Sequence, residues 1–112
     1  MSQNIICRYK YSLNPELFVS TIIRVEISFD TAKDAANLEK HGISLAAAAT
    51  LEWANALVWL DERHNYGEVR MCAISYILDR LYYVAYVNRD EACRIISLRK
   101  ANLREVKRYA ET

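Results

Sequence analysis

From about residue 57 to residue 98 the chain carries four short runs, ALVWL, VRMCAISYI, LYYVAYV and CRIISL, separated only by DERHNYGE, LDR and NRDEA. The runs are dense in β-branched and aromatic side chains, which suit a pleated, half-buried backbone, and the separators are polar turn formers. Strands joined by such short connectors pair each with the last at little loop-closure cost, so the spacing predicts an antiparallel meander. Upstream, VEISF alternates apolar Val25, Ile27 and Phe29 with polar Glu26 and Ser28, the period of a half-buried strand.

Helices are expected on either side of the meander. Asp30 stands as an N-cap before TAKDAANLEKHG, Gly42 closes that segment, and Lys40 and His41 suit the negative end of its dipole. Ser44 caps a second segment, LAAAATLEW, whose alanines favour a helix ending near Trp53. Asn102 and Glu105 have capping-box spacing and start a third helix, LREVKRYA. On it Leu103, Val106 and Ala110 share a face expected to dock, and Arg104, Lys107 and Arg108 share a basic one. The order is β-α-α-β-β-β-β-α, an α+β chain with helices packed on the meander sheet.

The 112 residues provide for one domain, and 53% apolar with 26% charged residues is ordinary globular composition. The formal net charge is only +1, but it is unevenly placed. Residues 94–108 hold six bases against one acid, a local +5, and residues 25–93 hold six bases against eleven acids, a local −5. A basic end on an acidic body suits a polyanion such as RNA, or an acidic partner protein; a solvated basic helix is the alternative. Cys7, Cys72 and Cys93 lack metal-ligand spacing, and two of them sit in apolar runs where a reduced thiol acts as a small hydrophobe. This points to a reducing cytoplasm. No apolar run approaches the ~20 residues that span a bilayer, and MSQNIICRYKYS lacks the charge order of a signal peptide.

Two stretches, DTAKDAANLEKHGIS and RIISLRKANLREVKRY, together with the Arg70 strand, resemble the BrnT family of bacterial type II toxins. The matching positions are Asp30, Lys33, Asn37, Lys40, His41, Gly42, Ile43 and Ser44, then Arg94 to Ser97, Arg99, Lys100, Ala101, Glu105 and Tyr109. The resemblance covers about residues 25–111, and two multi-residue signatures in the right order are far more specific than either alone. This sequence departs from the family where Ser75 stands for a frequent glycine and Leu45 for an aromatic. Residues 1–24, which include LFVSTII and the only proline, lie outside it. They are expected to be an extension, loosely packed or foreign to the natural product, with LFVSTII forming a strand or short helix over the sheet; the toxin domain is residues 25–112.

The resemblance implies a compact RelE-like fold, an endoribonuclease that arrests translation, neutralisation by a BrnA-type antitoxin, and contact with operator DNA only through that antitoxin. A non-catalytic module that binds RNA or titrates antitoxin stays open beside it. Cutting RNA without a metal requires activating the ribose 2′-hydroxyl, stabilising the phosphorane and protonating the leaving oxygen. Arginine's planar fork is the best phosphate clamp. Arg70, in an apolar strand, and Arg99, at the end of the last one, are the expected catalytic pair. Arg94 is a further phosphate contact, though it alternates with Ile96 and Leu98 on an apolar face. Lys100, Arg104, Lys107, Arg108 and Lys40 extend the RNA track. Tyr109 and His41 are candidates for proton handling or base stacking; the competing roles are packing for Tyr109 and a helix C-terminal cap for His41. Lys33, Asn37, Lys40 and His41 share a helix face that could extend the RNA track, though a solvated face, or one that contacts the antitoxin, is the favoured reading. Tyr82, Val84 and Tyr86 share a strand face and read as core. His64 has no second ligand at suitable spacing, so no metal or other cofactor is expected.

Overall fold

The computed structural model describes residues 9–10, 24–63, 67–89 and 92–112, and side chains from residue 26 onward. The expectations for LFVSTII and His64 fall outside the described residues. Two strands, β1 (Tyr9–Lys10) and β2 (Arg24–Val25), form a small antiparallel ribbon of their own. The main sheet has five strands: β3 (Ile27–Ser28), β4 (Leu57–Leu60), β5 (Met71–Ile77), β6 (Arg80–Arg89) and β7 (Ala92–Lys100), in the order β3-β7-β6-β5-β4. Strands β4 to β7 are the expected meander, antiparallel at every step. VEISF departs from expectation: only Ile27 and Ser28 pair as a main-sheet strand, parallel to the start of β7, so the sheet is mixed.

Helix α1 (Thr31–His41) is capped by the Asp30 carboxylate on the Lys33 amide at 3.0 Å and ends at Gly42, whose φ of 74° favours glycine. Its one buried residue, Asn37, acts as a substitute strand. The side-chain amide donates to the Leu98 carbonyl at 2.8 Å and its oxygen accepts from the Leu98 amide at 3.2 Å, satisfying the edge of β7 beyond β3. This corrects the placement of Asn37 on a solvated or RNA-facing surface. Asp34 accepts from the Ser44 hydroxyl at 2.8 Å and the Leu45 amide at 2.7 Å, tying α1 to the segment that follows.

That segment is not the expected α-helix but two 3₁₀ turns, Leu45–Thr50 and Trp53–Asn55. The buried residues are Leu45, Ala48 and Leu51, three apart, which is the repeat of a 3₁₀ helix rather than of an α-helix. Alanine propensity yields here to burial. The Trp53 indole then donates to the Ala48 carbonyl at 2.8 Å and its ring meets the fully buried Tyr86 edge-on at 5.2 Å.

The main core lies between these turns and one sheet face, joining Leu45, Ala48, Leu51 and Trp53 to Met71, Ala73, Val84, Tyr86, Ile95 and Leu98. Ser75 is buried but its hydroxyl donates to the Glu52 carbonyl at 2.7 Å, so the departure from glycine is accommodated. The opposite face holds a smaller cluster, Cys72, Ile74, Leu81, Tyr83 and Ala85, partly covered by α2 (Leu103–Ala110). Cys72 is a free, buried thiol as expected, whereas Cys93 is disulfide-bonded, which corrects its reading as a reduced thiol. No helix among the described residues is long and apolar enough to cross a membrane.

Helix α2 corrects another expectation. Leu103 is 77% exposed and Val106 37%, so the apolar edge predicted to dock does not. The helix is held instead by polar and aromatic contacts: the capping box of Asn102 and Glu105 is complete, the Tyr109 hydroxyl donates to the Asn55 carbonyl at 3.1 Å, and its ring stands edge-on to Tyr76 at 5.7 Å.

Candidate functional site

Between α2 and the second sheet face lies a cleft of about 560 Å³, lined on the sheet side by Trp59, Asp61, Cys72, Tyr83 and Arg99 and on the helix side by Asn102, Arg104, Glu105 and Arg108. Cross-strand register places Arg99 directly opposite Tyr83. Its guanidinium carbon sits 4.1 Å from the Tyr83 ring centroid, within cation–π range. Tyr83 and Trp59 are 6.2 Å apart, and the Arg108 guanidinium lies 4.1 Å from the Trp59 ring centroid. Cation, aromatic, aromatic and cation thus run across the cleft in series.

The chain reverses between β7 and α2, so the N3 position of the helix comes back over the end of the strand. Both Arg99 terminal nitrogens donate to the Glu105 carboxylate at 2.9 Å, a fork-to-fork pair. The same carboxylate accepts from the Asn102 amide at 2.9 Å, completing the cap. Burial alone would raise the Glu105 carboxyl, but the Arg99 hydrogen bonds, the Asn102 amide and the charges of Arg99 and Arg104 outweigh it and hold it below the usual range. On the floor, the Cys72 thiol and Tyr83 hydroxyl lie 3.0 Å apart, and burial pushes both upward, so both stay protonated at neutral pH. At one wall Arg63 grips the Asp61 carboxylate with two hydrogen bonds, of 2.8 and 2.9 Å.

Of the residues singled out in the sequence, Arg99, Arg104 and Arg108 line this cleft. Arg70 does not. It precedes β5, where its carbonyl accepts from the Asp61 amide at 2.8 Å, and strand alternation with Cys72 puts it on the cleft face. Ile74 is the residue in register with Tyr83 and Arg99, so Arg70 lies four residues away along the strand, ~13 Å at the usual rise, and two strands across. The expected pair shares a face without sharing the pocket.

Arg94 needs a correction. A bulge in β7 shifts the register between Ala85 and Tyr86, so Ile95 and Leu98 both enter the main core and Arg94 pairs with Val87 on the other face. The alternation with Leu98 is broken by that extra residue. Lys100, Lys107 and Lys40 are exposed, and none of them lines the cleft. Tyr109 faces Tyr76 and Asn55 rather than the cleft. His41 ends α1 outside the cleft walls, its imidazole lowered by desolvation and by the charges of Lys40 and Arg99. Among the described residues no group of three or more His, Cys, Asp or Glu could hold a metal ion.

Three lining residues are not legible as parts of a site from period or motif. Tyr83 belongs to the run whose tyrosines read as core, Trp59 lies in ALVWL with no feature to single it out, and Glu105, though a helix cap and a position of the family signature, carries no sign of its pairing with Arg99. The readable signal was parity: Tyr83 alternates with Tyr82 and Val84 and must face the opposite side.

The family model described as the BrnT ribonuclease toxin of type II toxin–antitoxin systems matches residues 29–105. Among solved structures, the chain is similar to the Brucella abortus ribonuclease toxin, BrnT, at 24% identity, with a TM-score of 0.57 over 70% of this chain and 97% of that one. No curated protein matches. With most of its length matched, including α1, the meander and the cleft's Arg99 and Glu105, the chain belongs to the BrnT family of ribonuclease toxins of type II toxin–antitoxin systems.

Proposed function

We propose that this chain is a metal-independent endoribonuclease of RelE-like fold that cuts RNA in the cleft between α2 and the sheet, and that a BrnA-type antitoxin silences it in the cytoplasm by covering that cleft. The observation that carries the reading is Arg99: a guanidinium stacked on Tyr83, forked toward the cleft and 30% exposed at its side chain. A fork that accommodates a carboxylate also accommodates a phosphodiester, because both present two oxygens in a plane. Arg104 and Arg108 add positive charge on the helix wall, and Trp59 and Tyr83 offer aromatic surfaces against which unpaired bases can stack.

In this mechanism the ribose 2′-oxygen attacks the adjacent phosphorus, and Arg99 stabilises the charge that builds on the non-bridging oxygens. The products are a 2′,3′-cyclic phosphate and a 5′-hydroxyl. Arg70 and Arg94, farther along the same face, contact phosphates beyond the scissile one, while Lys40, Lys100 and Lys107 add long-range attraction that salt screens. His41 and Tyr109 lie outside the cleft walls and serve by placing α1 and α2.

The deciding experiment is cleavage of a defined RNA by the purified protein in excess EDTA, with mapping of the new 5′ ends. Cleavage persisting in EDTA is expected, and Arg99→Ala is expected to lower it by roughly 10²–10³-fold while the thermal transition stays in place, the scale of removing one charge-stabilising donor. A wild-type protein that leaves RNA intact overturns the reading.

A further inference from the structure

The fork that should hold phosphate is already filled. Glu105 occupies both terminal nitrogens of Arg99, so RNA reaches that guanidinium only by exchanging with the carboxylate. Asp61 and Glu62 also line the cleft, but the Asp61 side chain is 1% exposed and gripped by Arg63. Glu62 follows Asp61 in the chain and also lines the cleft. Among the described acids, Glu105 is the one hydrogen-bonded to the phosphate clamp, and its side chain is 14% exposed.

Resting on the nuclease reading, we propose that Glu105 is the general base of the reaction, held by Arg99 until a substrate phosphate takes over the fork and frees it. The displaced carboxylate does not drift away. It remains on the first turn of α2, tethered by the Asn102 amide that the exchange leaves untouched. A phosphodiester seated on Arg99 therefore has its 2′-hydroxyl side next to a fixed carboxylate. The 2′-O–H proton passes to Glu105, the 2′-oxygen forms its bond to phosphorus, and the bond from phosphorus to the 5′-oxygen breaks. That oxygen leaves with a proton from water, and the resulting hydroxide is neutralised by the proton on Glu105, so the base is regenerated without net proton change.

Exchange also strengthens the base. In the free protein Arg99 hydrogen bonds and charge hold the carboxyl down. Once phosphate replaces it on Arg99, those hydrogen bonds are lost and a neighbouring negative charge is gained, and both changes raise its proton affinity. The acid limb of kcat, which reports the complex, should therefore lie at higher pH than the acid limb of kcat/KM, which reports the free enzyme.

The test uses the full chain, one RNA oligonucleotide and the same oligonucleotide with 2′-deoxyribose at the cleavage site as a binding probe. Glu105→Gln keeps the capping box, since glutamine serves at N3. It is expected to bind the deoxy probe at least as tightly as wild type while cutting about 10²–10³-fold more slowly, with the acid limb gone. Glu105→Asp, which keeps a carboxylate on a shorter arm, is expected to cut faster than Glu105→Gln. If Glu105 only positions Arg99, Glu105→Gln would lose binding and cleavage together or would cut within about threefold of wild type. Either result, or glutamine outperforming aspartate, overturns the assignment. Failure of the wild type to cut, by contrast, removes the nuclease reading itself.

Discussion

The two faces of the sheet are built from the same strands and end in opposite states. On one face the 3₁₀ turns and α1 press Leu45, Ala48, Leu51 and Trp53 onto Val84, Tyr86, Ile95 and Leu98, all of them buried. On the other, α2 buries none of its own residues and stands off far enough to leave a cleft. Apolar area removed from water is the dominant stabilising term in folding, so the first face carries most of the stability. Freed from that demand, the second can hold arginines over aromatic rings and an ion pair at a helix cap. Polar contacts hold α2 in register while contributing little net energy, which suits the proposal that RNA enters between this helix and the sheet.

Truncation on each face should separate these roles. Tyr86→Ala leaves a large void in the packed face, where every neighbour is fixed, and is expected to cost about 3–5 kcal/mol. For a domain of this size that lowers Tm by at least about 12 °C, measurable by calorimetry. Trp59→Ala removes a half-buried ring from the cleft wall and the shelf beneath Arg108. Its expected effect is on RNA: affinity for the uncleavable oligonucleotide drops by about 1–3 kcal/mol, the scale of one lost base–aromatic stack, with a smaller change in Tm than Tyr86→Ala. A reversal, with Trp59→Ala unfolding the protein and Tyr86→Ala tolerated, would break the division between faces.

The packed face was the more legible of the two, for a physical reason. Burial enforces period, and period is what a sequence displays: the meander follows from ALVWL to CRIISL, and the caps at Asp30, Gly42, Ser44 and Asn102 all form as read. Errors arise where two periods compete. The alanine-rich segment has helix propensity throughout, yet burial of Leu45, Ala48 and Leu51 selects the tighter turn. In β7 one inserted residue reverses the parity of everything before it, so Arg94 changes face. Asn37 reads as a surface polar residue and is buried, because a side-chain amide replaces a missing strand at the β7 edge, a partner 61 residues away. The cleft was legible in its charges and in the Asn102–Glu105 cap. Arg99 and Arg108 stand out by type, but their partners Tyr83, Trp59 and Glu105 are set by register and by the reversal between β7 and α2, which no local spacing encodes.

The smallest expected effect concerns the ion pair that joins the two halves of the cleft. Glu105 has a folded-state carboxyl below its ordinary value of 4.5, so the folded state binds its proton less readily than the unfolded chain does. Its contribution to stability is therefore fully present above pH 4.5 and is lost as pH falls through the folded value. Comparing Tm for wild type and Glu105→Gln across pH isolates that contribution: their difference should be flat from neutrality down to about pH 5 and shrink below it. Arg99 is partly exposed, so screening keeps the whole effect small, and added salt should reduce it further. A Tm difference that grows on acidification would mean that the carboxylate destabilises the fold. The pair would then be a strained contact awaiting phosphate rather than a tie between helix and sheet.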